Sequence, residues 1–538
     1  LDPQVFTYQT RLNLNAEQST ALNAYADLFC KIERKLFVAL YIKKLPLNDT
    51  KRQFLKQFQI TSRQYNAIKV QLEGRVSSIK ERKPDLIEAL KIKIQKAEKV
   101  IEKLASKPFK QHQKKRRLAI LKNKLSVLEH DLSTGRVRIC FGSKKLFRQQ
   151  FNLEKNGFQS HEEWLREWQK SRSEQFFVLG SKDETAGNQS CAAVSGDGGL
   201  TLRLRLPDAL AHCGKYISIP CVNFAYGQQQ ILAALASSQR ISTVNDEGKV
   251  SVKRTGTALS YRFLRDDKGW RVFASLSVVA PELKSSVSLG AIGIDVNAKH
   301  LAVAEINRHG NWLKSYRLPL NTYGKSTEQA KALIGDVAKQ IAKLAVDSSK
   351  PVVVESLNFQ RKKAELEKQD GRYSRMLSSF AYGKTLAAIK GACFRAGVEV
   401  REVNPAFTSV IGAVKFSQKL GLSVHQGAAL AIARRGLGLS EIPPRQSAIV
   451  PVANGGHVTL SLPERDRHKH VWSAWGEIRT KLRAAHVAHF RRGINLYPLP
   501  LRPVFEKRVL STGWNLSGHT QANRDQHCSD HVFESLPF

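Results

Sequence analysis

Residues 289–296 read LGAIGIDV and residues 351–355 read PVVVE, and these two stretches decide the fold of the second half of the chain. Each is an apolar run that carries a carboxylate near its C-terminal end, Asp295 in the first and Glu355 in the second. Short apolar runs bounded by Gly, Asn and Pro are typical of strands buried on both faces. The pattern therefore predicts two core strands, each ending in an acidic side chain.

The segments around these strands predict an alternating α/β domain. HLAVAEIN (300–307) and NWLKSYRL (311–318) follow the first strand and make three consecutive strands. A helix, the PVVVE strand, a helix, a strand and a last helix are then predicted at 325–346, 351–355, 373–396, 398–403 and from about Ser423. The order β-β-β-α-β-α-β-α is that of the ribonuclease-H-like fold. In that fold the first and fourth strands are parallel neighbours, because the crossover between them is right-handed.

This topology brings Asp295 and Glu355 to the same C-terminal edge of the sheet, where open α/β sheets place their sites. Two hard carboxylates suit Mg²⁺ or Mn²⁺, and two such ions about 3.5–4 Å apart can activate a water and stabilise the leaving 3′ oxygen in phosphodiester hydrolysis. The alternative is that Asp295 only makes an Asx turn in DVN and that Glu355 is a solvated strand end. The pair of acidic strand ends in a very basic chain favours the metal site.

The chain has 538 residues with 86 Lys and Arg against 46 Asp and Glu, a formal net charge of +40. Such a chain repels itself unless a polyanion neutralises it, which predicts a nucleic-acid partner and disfavours an enzyme of small neutral metabolites. The seven cysteines contain no C-x-x-C pair, so neither a disulfide scaffold nor a zinc ribbon is expected. Without an apolar leader or a run of ~18 apolar residues, we expect a cytoplasmic, nucleoid-associated protein with no membrane partner.

The first half of the chain predicts a helical block inserted into an antiparallel β domain. Residues 5–14 (VFTYQTRLNL) predict a strand that joins the later strands in a barrel or sandwich. Residues 85–104 and 117–132 predict two long amphipathic helices folded back on one another. The predicted organisation is a first strand, a helical domain, a β-barrel domain, the α/β domain and a basic C-terminal region, at 1–14, 15–135, 136–287, 288–445 and 446–538.

Cationic clusters mark the candidate nucleic-acid contacts. Residues 80–124 contain 16 Lys or Arg and 5 Asp or Glu. The densest cluster is Lys114, Lys115, Arg116 and Arg117. A solvated helix face is the ordinary alternative, but unpaired cations at this density predict contact with phosphates. Arg434 and Arg435 either contact backbone phosphates as well or only stabilise the C-terminus of the last helix.

Four tryptophans are spaced to lie on helix faces. They are Trp164, Trp168, Trp472 and Trp475. We interpret all four as core residues rather than as platforms for nucleobases, because a large aromatic side chain at helical spacing is most often buried.

Several of these segments resemble the motifs of one nuclease family. GIDVNAKHLAVAEIN (293–307) resembles the first RuvC motif, and VVVESLNFQRKKAE (352–365) the second, of the transposon-encoded TnpB nucleases and their relatives, the type V CRISPR effectors. VNPAFTSVIG (403–412) resembles the segment after the next strand, and HQGAALAIARRGLG (425–438) the third motif. The resemblance implies a helical recognition domain, a wedge barrel and a RuvC-like nuclease domain. It further implies an RNA-guided DNA endonuclease that binds a guide RNA and target DNA and cuts by a two-metal-ion mechanism.

Two features depart from the family pattern. No cysteine lies between Thr408 and His425, so no structural zinc is expected. His425 stands where the family usually has a third carboxylate, which makes Asp295, Glu355 and His425 the candidate catalytic and metal-binding residues. Imidazole is a poorer ligand for Mg²⁺ than carboxylate, but it can bind Mn²⁺ or act as a general base. The alternative is that His425 only caps or packs against its helix.

Three functions follow from these features. The first is an RNA-guided DNA endonuclease with a working metal site. The second is a nuclease-dead RNA-guided DNA-binding protein, acting as a repressor or targeting subunit, which the histidine at position 425 suggests. The third is a ribonuclease-H-like transposase without a guide RNA.

Overall fold

A computed structural model describes the chain at residues 3–106, 108–196, 198–244, 250–297, 299–356, 382–452 and 456–495. The chain divides into two compact units, one ending at Val279 and the other beginning at Ala280. Both contain helices and sheets, so the protein is a multidomain α+β chain, as predicted. No helix within the described ranges is long and apolar enough to cross a membrane. The predicted second motif from Leu357 onward and the start of the 373–396 helix lie outside the described residues.

Strands and helices of the first unit alternate irregularly along the chain. The described strands, β1 to β9, are Gln4–Arg11, Gln175–Val178, Cys191–Gly196, Gly199–Arg205, Tyr216–Val222, Gln239–Val244, Val250–Thr255, Leu259–Asp266 and Gly269–Val278. The described α-helices, α1 to α7, are Ala16–Phe37, Leu47–Phe58, Ser62–Lys103, Pro108–Ser133, Lys144–Gln149, His161–Ser171 and Gln228–Ala236. A π-helical turn at Val38–Ile42 continues α1.

The strands of this unit form three antiparallel sheets, ordered β1-β9-β8-β2, β3-β4-β5 and β6-β7. Val5 pairs with Ser277 and Arg11 with Arg271, so the first strand joins strands that lie far along the chain. Along the chain, helices α1 to α6 therefore lie between two strands that pair in one sheet. The predicted wedge barrel is not confirmed, because the described strands form separate sheets. Alternating apolar residues mark each strand but do not determine which edges pair.

The helical insertion contains the predicted helical hairpin. Helix α3 spans 42 residues and passes through Pro84, so it is longer than the predicted 85–104. Lys91 Nζ lies 2.8 Å from Glu129, and Lys122 Nζ lies 2.8 Å from Glu98. From one ion pair to the next, the residue number rises on α3 and falls on α4, so the two helices are antiparallel. These half-exposed ion pairs contribute at most about 1 kcal/mol each, so they mainly mark the register.

An aromatic stack joins α1 to the four-stranded sheet. The ring of Tyr25 stacks on Phe176 with 4.4 Å between centroids, and Phe176 stacks on Phe263 at 4.7 Å. All three side chains are buried. Burying an aromatic side chain is worth about 1.5–3 kcal/mol, so this stack fixes the start of the helical block on the sheet.

The second unit contains an α/β sheet and a C-terminal extension. The described strands, β10 to β16, are Ala291–Val296, His300–Ile306, Trp312–Pro319, Val352–Glu355, Val400–Val403, Ser447–Pro451 and His457–Ser461. The described helices, α8 to α13, are Thr327–Ser348, Tyr382–Ala396, Thr408–Ile411, Gln418–Leu420, Val424–Gly436 and Val471–Asn495. A π-helical stretch at Gly412–Ser417 joins α10 to α11.

The main sheet of this unit has the order β12-β11-β10-β13-β14. β10 runs antiparallel to β11 and parallel to β13, with Ile292 opposite Val352 and Ile294 opposite Val354. The predicted topology is therefore confirmed, including the parallel pairing of the two acidic strands. Helices α8 and α12 each begin with a capping box, at Ser326 and at Ser423, and the second of these is where the last helix was predicted to start.

Helix α12 lies directly on the sheet. An added Cβ at Gly293 of β10 would fall inside van der Waals contact of the Ala429 carbonyl oxygen and the Ala433 nitrogen. The small side chains of Ala429 and Ala433 on α12, together with Gly293, therefore allow the helix to lie this close to the sheet. Beyond this helix, the hairpin β15–β16 was not predicted. Trp475 of α13 is fully buried in the same core, and its Nε1 donates to the Glu441 carbonyl oxygen at 2.7 Å.

Candidate active site

Asp295 and Glu355 lie side by side at one edge of the main sheet. Ile294 pairs with Val354 on the parallel strands β10 and β13, so each carboxylate follows a paired residue by one position. Neighbouring strands are about 4.8 Å apart, and residues at equal register in parallel strands project to the same face. Both residues are 9% exposed. The fold thus places two acidic side chains next to each other in a largely buried setting.

One oxygen of Asp295 accepts hydrogen bonds from two side chains. Asn297 Nδ2 donates to Asp295 Oδ2 at 3.0 Å, and His425 Nδ1 lies 3.1 Å from the same oxygen. Oδ1 accepts no hydrogen bond from the described residues. Because a carboxylate only accepts, the bond to His425 places the proton on Nδ1, and a neutral ring then presents a lone pair on Nε2. The His425 side chain is 49% exposed, so the ring is open to solvent.

The second carboxylate is held by the segment after β14. Thr408 Oγ1 donates to Glu355 Oε1 at 2.5 Å, and Thr408 is 2% exposed. Thr408 opens α10, and the residue before it, Phe407, has a left-handed backbone with φ of 64°. Such a conformation costs a non-glycine residue on the order of 1–3 kcal/mol and persists where the surrounding structure fixes it. The chain therefore turns sharply at the point where it presents the hydroxyl to Glu355.

Two further residues near this edge of the sheet have shifted pKa values. Burial raises the pKa of Tyr382, and the charges of Glu355 and Asp295 raise it further. Burial lowers the pKa of His300, and Arg317 and His425 act in the same direction. The rings of His300 and His425 meet edge to face with centroids 5.2 Å apart. The acidic pair is thus surrounded by a tyrosine on α9 and by two histidines.

The donor set of this edge fits a hard divalent cation only in part. Two carboxylates are the ligands that Mg²⁺ and Mn²⁺ prefer, and Asp295 keeps one oxygen that accepts no hydrogen bond from the described residues. Within the described ranges, however, no three His, Cys, Asp or Glu side chains come together as a metal-binding group. His425 directs Nδ1 toward Asp295, and the assignment of all three residues to one metal site stays a prediction.

The two arginines at the end of α12 have partners inside the second unit. Arg434 donates to Glu441 through Nε and to the Gly310 carbonyl oxygen through Nη1. Arg435 donates to the Asn404 carbonyl oxygen, and its guanidinium lies 6.0 Å from the centre of the Trp472 ring. Burial lowers the pKa of Arg435, while Glu355 and Glu441 act to raise it. These internal partners account for Arg434 without nucleic acid, and contact of either residue with phosphate stays a prediction.

The predicted basic cluster belongs to the other unit. It comprises Lys114, Lys115, Arg116 and Arg117, all exposed on the N-terminal half of α4. None of the four forms an ion pair with another described residue. Their exposure suits a contact with phosphates, which stays a prediction.

Sequence reasoning missed Asn297, His300, Tyr382 and Thr408 as members of this edge. Asn297 stands in the DVN turn that was read as an alternative use of Asp295, and the turn and the site turn out to be compatible. Thr408 and Tyr382 carry no local signal, because their contacts depend on how distant segments of the chain meet. The histidine at position 300, five residues after Asp295, was a usable signal, since it begins the antiparallel partner strand.

No protein-family model and no curated protein matches this chain. Among solved structures, it is similar to T. thermophilus RuvC in complex with a Holliday junction substrate, with 22% identity and a TM-score of 0.20 over 27% of this chain and 90% of that chain. It is also similar to a Cas12f1–sgRNA–target DNA complex, with 14% identity and a TM-score of 0.20 over 80% of this chain and 99% of that chain. At these scores neither likeness establishes a family or an activity for this chain.

Proposed function

We propose that the chain is a metal-dependent nuclease that cuts DNA selected by a guide RNA. The observation that carries the proposal is the pair of buried carboxylates, Asp295 and Glu355, at equal register on parallel strands. In a chain of net charge +40, an acidic pair of this kind is a local exception that attracts a cation, while the rest of the chain attracts a polyanion. The RNA guide is proposed from the motif resemblance of residues 293–307, 352–365 and 425–438.

Asp295 and Glu355 are the residues that would hold Mg²⁺ or Mn²⁺. A divalent ion there supplies Lewis-acid polarisation of the phosphodiester and neutralises the charge of the leaving 3′ oxygen. Asn297 and Thr408 orient the two carboxylates through the hydrogen bonds described above. His425, with its Nδ1 proton directed to Asp295, presents Nε2 to solvent as the acceptor for the proton of an attacking water.

The direct test is cleavage of labelled DNA by the full chain with its co-purifying RNA, in Mg²⁺ and in Mn²⁺. Asp295→Asn and Glu355→Gln should each lower the cleavage rate by at least about 100-fold, because each removes a charge worth several kcal/mol in the transition state. Asp336→Asn is the matched control, since Asp336 is an exposed acid on α8. Hydrolysis that persists in the Asp295→Asn, Glu355→Gln double variant would refute the proposal.

Guidance by RNA is tested separately. Sequencing of the RNA that co-purifies with the chain identifies a guide, and replacing its targeting segment should redirect cleavage to the matching DNA. Cleavage that ignores the RNA and yields strand-transfer products would instead support the transposase.

The bond between His425 and Asp295 favours one second candidate, a nuclease-dead RNA-guided DNA-binding protein. In that case the hydrogen bonds from Asn297 and His425 hold Asp295 Oδ2 in a form that supports no cleavage, and the chain binds without cutting. Persistent RNA-dependent binding with no cleavage in either metal, together with a gain of cleavage in His425→Asp, would support this candidate and refute the first.

A further inference from the structure

The tryptophans interpreted from the sequence as core residues separate into two kinds. Trp164, Trp168 and Trp475 are 3%, 7% and 0% exposed, and they are core residues as interpreted. Trp472 is 38% exposed although it lies one helical turn before Trp475 on α13. The interpretation is wrong for Trp472, because the face of α13 that packs on the core carries Val471 and Trp475, four positions apart, and Trp472 lies beside that face. Trp472 therefore presents an exposed indole on the surface of a unit that is rich in Lys and Arg.

Trp472 belongs to a preorganised aromatic cluster. The ring of Phe407 meets it edge-on with 6.2 Å between centroids, and the ring of His470 does so at 5.5 Å. The backbone N–H of Trp472 donates to His470 Nδ1 at 3.2 Å. Neighbours that contact the indole edge-on support the ring and fix its orientation. We call these three residues, Phe407, His470 and Trp472, the aromatic platform.

Cations border the platform. The Arg435 guanidinium lies 6.0 Å from the centre of the Trp472 ring, and that of Arg479 lies 5.1 Å from the centre of the Phe407 ring. Arg479 is exposed and has no ion-pair partner among the described residues. Surfaces that alternate aromatic rings with cations bind single-stranded nucleic acids, because the bases stack on the rings and the phosphates contact the cations.

The platform is connected to the acidic pair through short links. Phe407 is followed directly by Thr408, which donates to Glu355 Oε1. Arg435, which contacts the platform, is held by the Asn404 carbonyl oxygen in the same loop. A strand that placed a base on Trp472 would therefore have its backbone near the edge of the sheet that carries Glu355.

We infer that Trp472 stacks on a nucleobase of single-stranded nucleic acid beside the carboxylate pair, and that Arg479 contacts an adjacent phosphate. This inference rests on the proposed function, because it assigns to the same site the form of its substrate. Stacking on an indole tolerates any base, so the platform holds the strand without reading its sequence. It suits a site that acts on a strand already separated from its complement.

The experiment measures the binding of fluorescently labelled single-stranded DNA to the full chain in EDTA, so that no cleavage takes place. Trp472→Ala should weaken binding roughly 5- to 100-fold, the range expected for the loss of one stacked base. Trp472→Phe should stay within about 3-fold of wild type, because it keeps a ring. Trp312→Ala is the matched control and should bind like wild type, since Trp312 is 37% exposed on β12 in the same unit.

An abasic scan of the oligonucleotide identifies the stacked base. One abasic position should weaken binding to wild type but not to Trp472→Ala, because both changes remove the same contact. An RNA oligonucleotide of the same sequence, measured in parallel, shows which nucleic acid the platform prefers.

Two results separate this inference from the proposed function. If thermal unfolding shows that Trp472→Ala is folded, and the variant binds single-stranded DNA like wild type, the inference about the platform is refuted. This holds even if Asp295→Asn abolishes cleavage. If Trp472 carries the binding but wild type cuts nothing in Mg²⁺ or Mn²⁺, the nuclease proposal fails and the platform stands.

Discussion

Thr408 and Glu355 form a side-chain hydrogen bond that is almost completely buried, with the two residues 2% and 9% exposed. A buried hydrogen bond to a charged group is worth about 1.5–3 kcal/mol, and removing the donor leaves the carboxylate less well satisfied. We expect Thr408→Val to lower the free energy of unfolding of the second unit by about 1–3 kcal/mol. It should also reduce cleavage, because Glu355 loses its orientation. Thermal unfolding and the cleavage assay measure the two effects.

Thr408→Ser is the matched variant, because it keeps the hydroxyl and removes only a methyl group. It should retain most of the cleavage activity. Equal unfolding and cleavage in Thr408→Val and wild type would show that the hydroxyl does not position Glu355.

At the same scale, the sequence predicts the two carboxylates but not what holds them. Asp295 and Glu355 end apolar runs, and that pattern is local. The partners of these residues, Thr408 and His425, come from segments 53 and 130 positions away. Only the motif resemblance groups His425 with the carboxylates, and nothing in the sequence groups Thr408 with them. The orientation of His425 toward Asp295 likewise depends on where α12 lies on the sheet.

Among the elements, the contact between β10 and α12 determines the geometry of the acidic edge. Gly293→Ala would drive a methyl group into the backbone of Ala429 and Ala433. We expect a loss of about 1–3 kcal/mol in the free energy of unfolding, as is typical of overpacking, with a larger loss of cleavage as Asp295 and His425 separate. Denaturant unfolding, monitored by tryptophan fluorescence, measures the change in the free energy of unfolding.

Gly335→Ala provides the control, because Gly335 lies on α8 and an added Cβ there has no neighbour within 4 Å. It should stabilise the unit by about 0.5–1 kcal/mol through helix propensity. If Gly293→Ala and Gly335→Ala change the free energy of unfolding and the cleavage rate alike, the close approach of α12 to β10 is not the reason that position 293 requires glycine.

Ion pairs to Asp266 connect β1 to the turn between β8 and β9. Asp266 accepts hydrogen bonds from Arg11 at 2.9 and 3.0 Å and lies 3.0 Å from Arg271 Nε. The hydrogen bond from Arg11 is the largest cause that lowers the pKa of Asp266 to about 2. Because the pKa is lower in the folded than in the unfolded chain, the stabilisation is present above about pH 4 and is lost as pH falls toward about 2.

Solvent screening at this partly exposed site limits the effect to about 1 kcal/mol. Urea unfolding of wild type and Asp266→Asn at about pH 5 and about pH 2.5 measures it. The variant should be less stable than wild type at the higher pH, and the difference should be clearly smaller at the lower pH. A stability difference that does not change with pH would show that the ion pair does not tie β1 to the turn.

Element order is what the sequence predicts best. β10 to β14 and the starts of α8 and α12 match because apolar periodicity and capping residues are local signals. The sheet pairing of the first unit and the β15–β16 hairpin could not be predicted in the same way. Their pairing depends on contacts between strands whose alternating patterns fit more than one partner.

On the scale of the whole molecule, net charge predicts how binding depends on salt. We expect the combined change of Lys114, Lys115, Arg116 and Arg117 to Gln to reduce the slope of log affinity for duplex nucleic acid against log salt concentration by up to about 3–4. Glutamine keeps helix propensity, so α4 should remain folded. Fluorescence anisotropy at several salt concentrations gives the slope.

A charge-preserving swap of the same four positions, Lys to Arg and Arg to Lys, is the control and should keep the slope of wild type. An unchanged slope in the glutamine variant would place the phosphate contacts elsewhere. Composition predicts the partner class because charge is additive over the chain. It does not predict which cations touch phosphate, since Arg434 carries the same charge as Lys114 and yet is paired with Glu441.

The pairing of β1 with β9 sets the order in which the first unit can form during translation. Thr7 and Ser275 hydrogen bond across this pair although they lie 268 positions apart. At about 5–20 residues per second, β1 leaves the ribosome on the order of tens of seconds before its partner. The helical insertion has local contacts and can fold in that interval, while the nascent chain carries an unpaired edge strand that other chains or chaperones can meet. The last step in the folding of the first unit is therefore the completion of its four-stranded sheet, after the insertion has formed.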